Sequence, residues 1–116
     1  MTAPINLRCG EDFYIEFSYA DAEDHPIVIT DPKMEVRSGQ DSTSSLLYSS
    51  EGSDPKITTT QPATNSVRFA IDGEDTKNEP SVNGFYDVYA MDADGNSVCL
   101  SGGVQRFQQT ANVTLL

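Results

Sequence analysis

The feature that most constrains this chain is a hydrophobic period of two. In residues 13–19 (FYIEFSY), Phe13, Ile15, Phe17 and Tyr19 alternate with Tyr14, Glu16 and Ser18. An extended strand puts the first four on one face. Residues 66–72 repeat the pattern with Val67, Phe69 and Ile71, and residues 33–37 set Met34 and Val36 against Lys33, Glu35 and Arg37. Residues 84–91 differ: Tyr86, Val88 and Ala90 lie on one side, Phe85, Tyr89 and Met91 on the other. Apolar residues on both faces predict a central strand covered on each side. No segment longer than one turn shows the 3.6-residue spacing of a helix, and residues 73–84 read as polar loop or a single helical turn.

Shorter strands are expected at residues 26–29, 46–48, 56–60, 97–100 and 104–107. Their boundaries are set by turn chemistry. Residues 20–26 (ADAEDHP) form an acidic turn, Asp31-Pro32 breaks a strand, and residues 38–45 and 49–55 are Ser-rich or Pro-ended loops. Asp92-Ala-Asp-Gly95-Asn96 is a hairpin turn in which Gly95 supplies positive φ. Ser101-Gly102-Gly103 interrupts pairing as a bulge or bend does. The sequence therefore predicts an all-β, Ig-like antiparallel β-sandwich of seven or eight short strands. It is expected to be one domain over residues 1–116, with short extended arms at both ends.

Charge narrows the partners. Eighteen Asp and Glu against seven Lys and Arg leave a formal charge of −11. Duplex nucleic acid is bound largely by neutralising phosphates, and anionic lipid by basic patches, so neither nucleic acid nor membrane is an expected partner. Leu, Ile, Val and Phe together make 25 of 116 residues, enough for a small core. The opening MTAPINLRCGEDF has no apolar run of signal-peptide length, from which residence in a cytoplasm, or exit by a route other than a signal peptide, is expected. Cys9 and Cys99 are too far apart in sequence for a CxxC motif, and two buried thiols are expected in a reducing compartment.

Candidate chemistry is sparse, and no catalytic, cofactor-binding or metal-binding residue is expected. Asp92, Asp94 and Asn96 space oxygens as calcium loops do, but Gly95 sits at the fourth position rather than the sixth and the closing Glu of such a loop is missing, which leaves an ordinary Asp-Gly hairpin. His25 sits in a turn with no nucleophile or orienting acid at hand. Gly102-Gly103 has neither the helix nor the Lys of a phosphate cradle, and Asn112-Val-Thr114 is a chance sequon. Exposed strand aromatics could stack on sugar, but subunit contact is the cheaper expectation for Tyr14, Tyr48 and Tyr89. The two ends carry apolar residues that a short polar terminus does not need: Ile5 and Leu7, then Val113, Leu115 and Leu116. These eight are the candidate subunit contacts.

Two stretches carry a family resemblance. One begins Cys9-Gly-Glu-Asp-Phe and runs through an alternating strand and an acidic turn to DPKMEVRS. The other runs from IDGEDT through GFYDVYAMDADGNSVCLSGGVQ to a Thr-containing closing strand. Their order resembles a β-sandwich family of bacteriophage virion proteins, read as a "GD" start, a "VR" strand, a "T" segment before "G-x-Y-x-Y-D", a "D-x-D-G" hairpin and a last "L-x-G-x-V" strand. Gly10 and Asp12, Val36 and Arg37, Thr76, Gly84, Tyr86 and Asp87, Asp92, Asp94 and Gly95, then Leu100, Gly102 or Gly103 and Val104 occupy those places.

The resemblance implies a non-enzymatic structural protein of the virion: a collar or connector subunit at the tail, neck or fibre junction. It would be assembled in the host cytoplasm and would contact other virion proteins and copies of itself as a homo-oligomer. Capsid decoration is the alternative within the same class. A carbohydrate- or calcium-dependent adhesion module is the remoter one.

Overall fold

Turn residues and the period of two translate into strands whose inward side chains meet in one core. The computed structural model describes residues 4–116. Among these the order is β1 (Ile5–Arg8), β2 (Phe13–Ser18), β3 (Thr30–Arg37), β4 (Leu46–Ser49), β5 (Ile57–Thr60), β6 (Ser66–Ile71), the single turn α1 (Gly73–Thr76), β7 (Val82–Met91), β8 (Ser97–Cys99) and β9 (Gln105–Thr110). The larger sheet has the order β1-β9-β7-β3-β4, with β8 also on β7, and the smaller is β2-β6-β5.

Alternation sets the core. Phe17, Val67, Phe69 and Ile71 from the smaller sheet, and Met34, Val36, Tyr86, Val88 and Phe107 from the larger, are all buried. Each such burial stabilises by about 1.5–3 kcal/mol. Phe17 and Phe69 meet edge to face with ring centroids 6.4 Å apart, a geometry that adds about 0.5–1.5 kcal/mol beyond the area removed from water. Ser101-Gly102-Gly103 interrupts pairing as expected, so the return from the Asp92 hairpin is split into β8 and β9.

Several details depart from the sequence expectations. Residues 5–7 are not an arm. β1 pairs in parallel with β9, Ile5 opposite Phe107 and Leu7 opposite Gln109, and this is the one parallel ladder among the described strands. The remainder of the expected N-terminal arm, residues 1–3, lies outside the described residues. Residues 26–29 form no strand beyond the isolated bridge between Ala20 and Pro26. Asp31-Pro32 does not break a strand but sits inside β3, where Asp31 takes φ +51 and the register shifts between Thr30 and Lys33. A bulge absorbs the missing Pro N–H there.

A buried corner ties the two sheets together. Gly10, at φ +93, donates its N–H to Thr76 Oγ1 at 3.0 Å, and Thr76 Oγ1 donates to the Gly73 carbonyl at 3.3 Å. Asp12 Oδ1 accepts from the Gly73 N–H at 2.9 Å. A Cβ on Gly73 would lie 2.5 Å from the Gly10 carbonyl oxygen, so only glycine permits this approach. The crossing from β1 to β2 is thereby clamped to the connection between β6 and β7.

Candidate contact surfaces

The eight sequence-derived contact candidates do not converge on one surface. Ile5 and Leu7 are 2% and 1% exposed, because β1 turns both inward against β9. They belong to the core and offer nothing to a neighbour. Tyr48 is likewise buried. Its ring packs 5.9 Å from that of Phe107, and its hydroxyl donates to Gln109 Oε1 at 2.5 Å. The Gln109 amide in turn donates to the Pro80 carbonyl at 2.8 Å. Burial, with Glu79 and Cys9 nearby, pushes the Tyr48 phenol up to about 12. These three residues are corrected from contact candidates to core.

Five candidates face solvent, on separate parts of the molecule. Tyr14 stands on the outer face of the smaller sheet and Tyr89 on the outer face of the larger. Val113, Leu115 and Leu116 follow β9 in the C-terminal segment, where Val113 and Leu115 are almost wholly exposed and the Leu116 side chain lies over Gly10.

Around Tyr14 the smaller sheet builds a charged row. Glu16 lies opposite Arg68 on β6. The Arg68 guanidinium is held by Glu16 Oε1, with Nε at 2.8 Å and Nη2 closer still, and lies 4.6 Å over the Tyr14 ring. A cation over an aromatic face is attracted by the ring quadrupole. Arg68 was not a candidate in the sequence, since its partnership with Tyr14 and Glu16 exists only once β2 and β6 are in register.

The outer face of the larger sheet is mixed rather than apolar. Outward residues Phe85, Asp87 and Tyr89 of β7 oppose Arg37, Glu35 and Lys33 of β3. Phe85 and Asp87 are half-buried and Tyr89 is exposed. The double coverage expected of β7 is thus met on its inner face alone, because the smaller sheet packs on one side and, among the described residues, no second layer lies on the other. Arg37 pairs with Glu35 at 2.8 Å. A shallow pocket lies beside them, lined by Glu35, Arg37, Asp41, Phe85, Asp87 and Val104. In it the Asp87 carboxyl is held above the usual carboxylate range by burial first and by Glu35 second, against the pull of Arg37. Val104 and Leu46 are exposed apolar residues that the sequence placed inside strands. They lie at the bulge after Gly103 and at the start of an edge strand, where alternation has no second strand to enforce it.

Hairpin and cysteine chemistry is settled by local bonds. Asp92 Oδ1 accepts from the N–H groups of Asp94 and Asn96, each at 2.9 Å, so this carboxylate is committed to its own turn. Cys9 and Cys99 are both free; Cys9 is buried, and Cys99 is half-buried with its Sγ accepting from the Gly103 N–H at 3.2 Å. Burial pushes the Cys9 thiol up. Among the described residues no group of three His, Cys, Asp or Glu side chains could hold a metal ion.

The strand layout decides the fold. The fold is Ig-like. The smaller sheet has the B-E-D order of such domains, and the larger the order of their G, F, C and C′ strands with β1 along the G edge. The molecule is similar to the titin M3 domain, with 16% identity over 97% of this chain and 91% of that chain and a TM-score of 0.52. A chain from the structure describing T cell specificity and activation by the bacterial superantigen toxic shock syndrome toxin-1 matches at 16% identity, 95% and 93% coverage and a TM-score of 0.53. The periplasmic chaperone SfaE matches at 10% identity and a TM-score of 0.53, over 99% of this chain and 57% of that chain. No protein-family model and no curated protein matches the sequence. Antibody domains place an inter-sheet disulfide and a Trp in this core. Here there is no Trp, and the buried inward residues of β2, β3 and β7 include Phe17, Met34, Val36 and Val88.

Proposed function

We propose that the protein is a structural subunit of a bacteriophage virion, a collar or connector at the tail, neck or fibre junction, working through contacts with other virion proteins and with copies of itself. The observation that carries the contact role is the set of apolar side chains left in water by the folded core: Tyr14 at 61%, Tyr89 at 45%, Val113 at 102% and Leu115 at 94% exposure. Burying such apolar surface against a partner removes it from water and favours association. The virion itself is drawn from the resemblance carried by Gly10, Asp12, Thr76, Gly84, Asp92 and Gly95. Residence in the particle and assembly in the host cytoplasm belong to the same proposal.

Native mass spectrometry over a range of protein concentrations tests it, together with incorporation of a 112–116 truncation into particles. A closed oligomer of defined copy number is expected, with incorporation of the truncated chain lost while its circular dichroism stays native. A monomer at every concentration, or full incorporation without the C-terminal segment, would overturn it. A trimer would move the subunit from the tail to head decoration.

A further inference from the structure

The sandwich leaves its strand edges unequally protected. In the larger sheet β1 and β4 are four residues each; β1 follows Pro4, and the register of β4 on β3 shifts between Val36 and Arg37. In the smaller sheet β5 is four residues and begins two positions after Pro55. Short length, proline, bulges and charged side chains are devices that blunt an edge. β2 has none of the first three, and its one charge, Glu16, is paired with Arg68 of β6. It is six residues long, contains no proline, and keeps an unbroken register on β6 from Phe13↔Ile71 to Ser18↔Ser66.

Backbone parity shows what this edge presents. Tyr19 donates its N–H to the Asn65 carbonyl at 2.8 Å. In an antiparallel ladder Phe17, Ile15 and Phe13, two residues apart, turn their polar groups the same way, toward β6. Tyr14, Glu16 and Ser18 therefore direct N–H and C=O outward, and no described strand pairs with them. The inward side chains of Phe13 and Ile15 are only half-buried, unlike that of Phe17. Both backbone and apolar surface are left open along one line.

We propose that a second copy of this chain covers that line, two β2 strands pairing antiparallel about a two-fold axis at Ile15 to give one continuous sheet β5-β6-β2: β2-β6-β5. The proposal rests on the contact role above and names one surface that performs it. Parity allows only even residues to face even residues. Placing Glu16 opposite its own copy sets like charges face to face, which is unfavourable. Placing Tyr14 opposite Tyr14 sets Asp12 against Glu16, and overlaps fewer strand residues. Placing Glu16 opposite Ser18 also shortens the overlap and sets Asp12 beside the acidic turn 21–24. With Tyr14 opposite Glu16, residues 13–17 of both copies overlap and each Glu16 faces an uncharged side chain. Each Tyr14 ring then stands beside the Glu16–Arg68 pair of the other copy. On the inner face Ile15 meets Ile15 and Phe13 meets Phe17, extending the core across the axis. Such an isologous contact closes on itself, so a ring built from it has an even number of copies.

Sedimentation velocity and disulfide trapping on the full chain test this. Ile15→Cys puts two thiols on the axis in a non-hydrogen-bonded pair, with Cα atoms about 4.5 Å apart and within disulfide reach. It is expected to trap a dimer under mild oxidant, whereas Glu16→Cys traps little. Glu16→Pro removes an outward N–H that β6 does not use and is expected to abolish the dimer with the circular dichroism unchanged. If that variant fails to fold, Tyr14→Glu sets carboxylates opposite Glu16 twice per dimer and is expected to raise the dimer Kd by about tenfold or more. A chain that stays monomeric overturns the proposal. So does a dimer that trapping at Ile15 misses and both edge variants leave intact, or one lost only on removing residues 112–116. These last two outcomes leave the contact role standing on another surface.

Discussion

Leu7→Ala separates a strand from an arm. Leu7 is 1% exposed and points inward from β1, which is held by its parallel ladder to β9. Truncating a buried leucine to alanine costs about 2–5 kcal/mol, the spread reflecting how far the surroundings collapse into the space. β1 is an edge strand with room to relax, which places the expected loss near 3 kcal/mol, against about 5–15 kcal/mol of total stability for a domain. Unfolding entropy of about 2.1 cal/mol/K per residue gives about 0.24 kcal/mol/K for a chain of 116 residues. A loss of 3 kcal/mol therefore lowers Tm by about 12 °C. Thermal and urea melts followed by circular dichroism measure it, with the m-value unchanged if both states keep their compactness. Leu115→Ala is the internal control: at 94% exposure it should fall within about 0.5 kcal/mol of the parent. Equal effects of the two substitutions would refute the packing of β1 and return residues 5–7 to the status of an arm.

Two further substitutions test local chemistry. Thr76→Val keeps the shape of a fully buried side chain but leaves the Gly10 N–H without its acceptor; a loss of about 1–3 kcal/mol is expected by urea denaturation, and a neutral result would disprove the corner clamp. Asp87→Asn acts through pH. The folded carboxyl is raised above its unfolded value by burial and Glu35, with Arg37 opposing, so ionisation at neutral pH costs the native state stability. That cost is absent below the unfolded pKa, sets in as pH rises through the carboxylate range, and is fully present above the raised folded pKa. The variant should be the more stable at pH 7, by less than about 1 kcal/mol, with the gap closing as pH falls through the carboxylate range. A gap that is absent at pH 7, or that persists in acid, would contradict the assigned cause.

Much of the fold was legible because its determinants are local. Phe13, Ile15 and Phe17, or Val67, Phe69 and Ile71, share a face by the geometry of an extended chain whatever lies beside them. Gly95 and the Asp92 carboxylate close their hairpin from within five residues, and Ser101-Gly102-Gly103 interrupts pairing by its own backbone freedom. Asp31-Pro32 misled because a bulge within a paired strand and a strand end use the same residue types, and only the flanking ladders to β7 tell them apart.

The contact residues were far less legible, for the same physical reason in reverse. An apolar side chain near a chain end reads identically whether it seeks a partner molecule or the protein's own core. Ile5 and Leu7 became core because β9, a hundred residues on, supplies a ladder; Val113 and Leu115 stayed in water because nothing described does. Tyr48 was removed from the surface by Gln109, a partner 61 positions away. Arg68 joined Tyr14 and Glu16 only through the register of β2 on β6. The sequence by itself determined which residues share a face and where the chain turns, since these depend on neighbouring residues alone. Which strands became edges, and which apolar residues were left for a partner, was decided by pairings distant in sequence, which only the tertiary structure supplies.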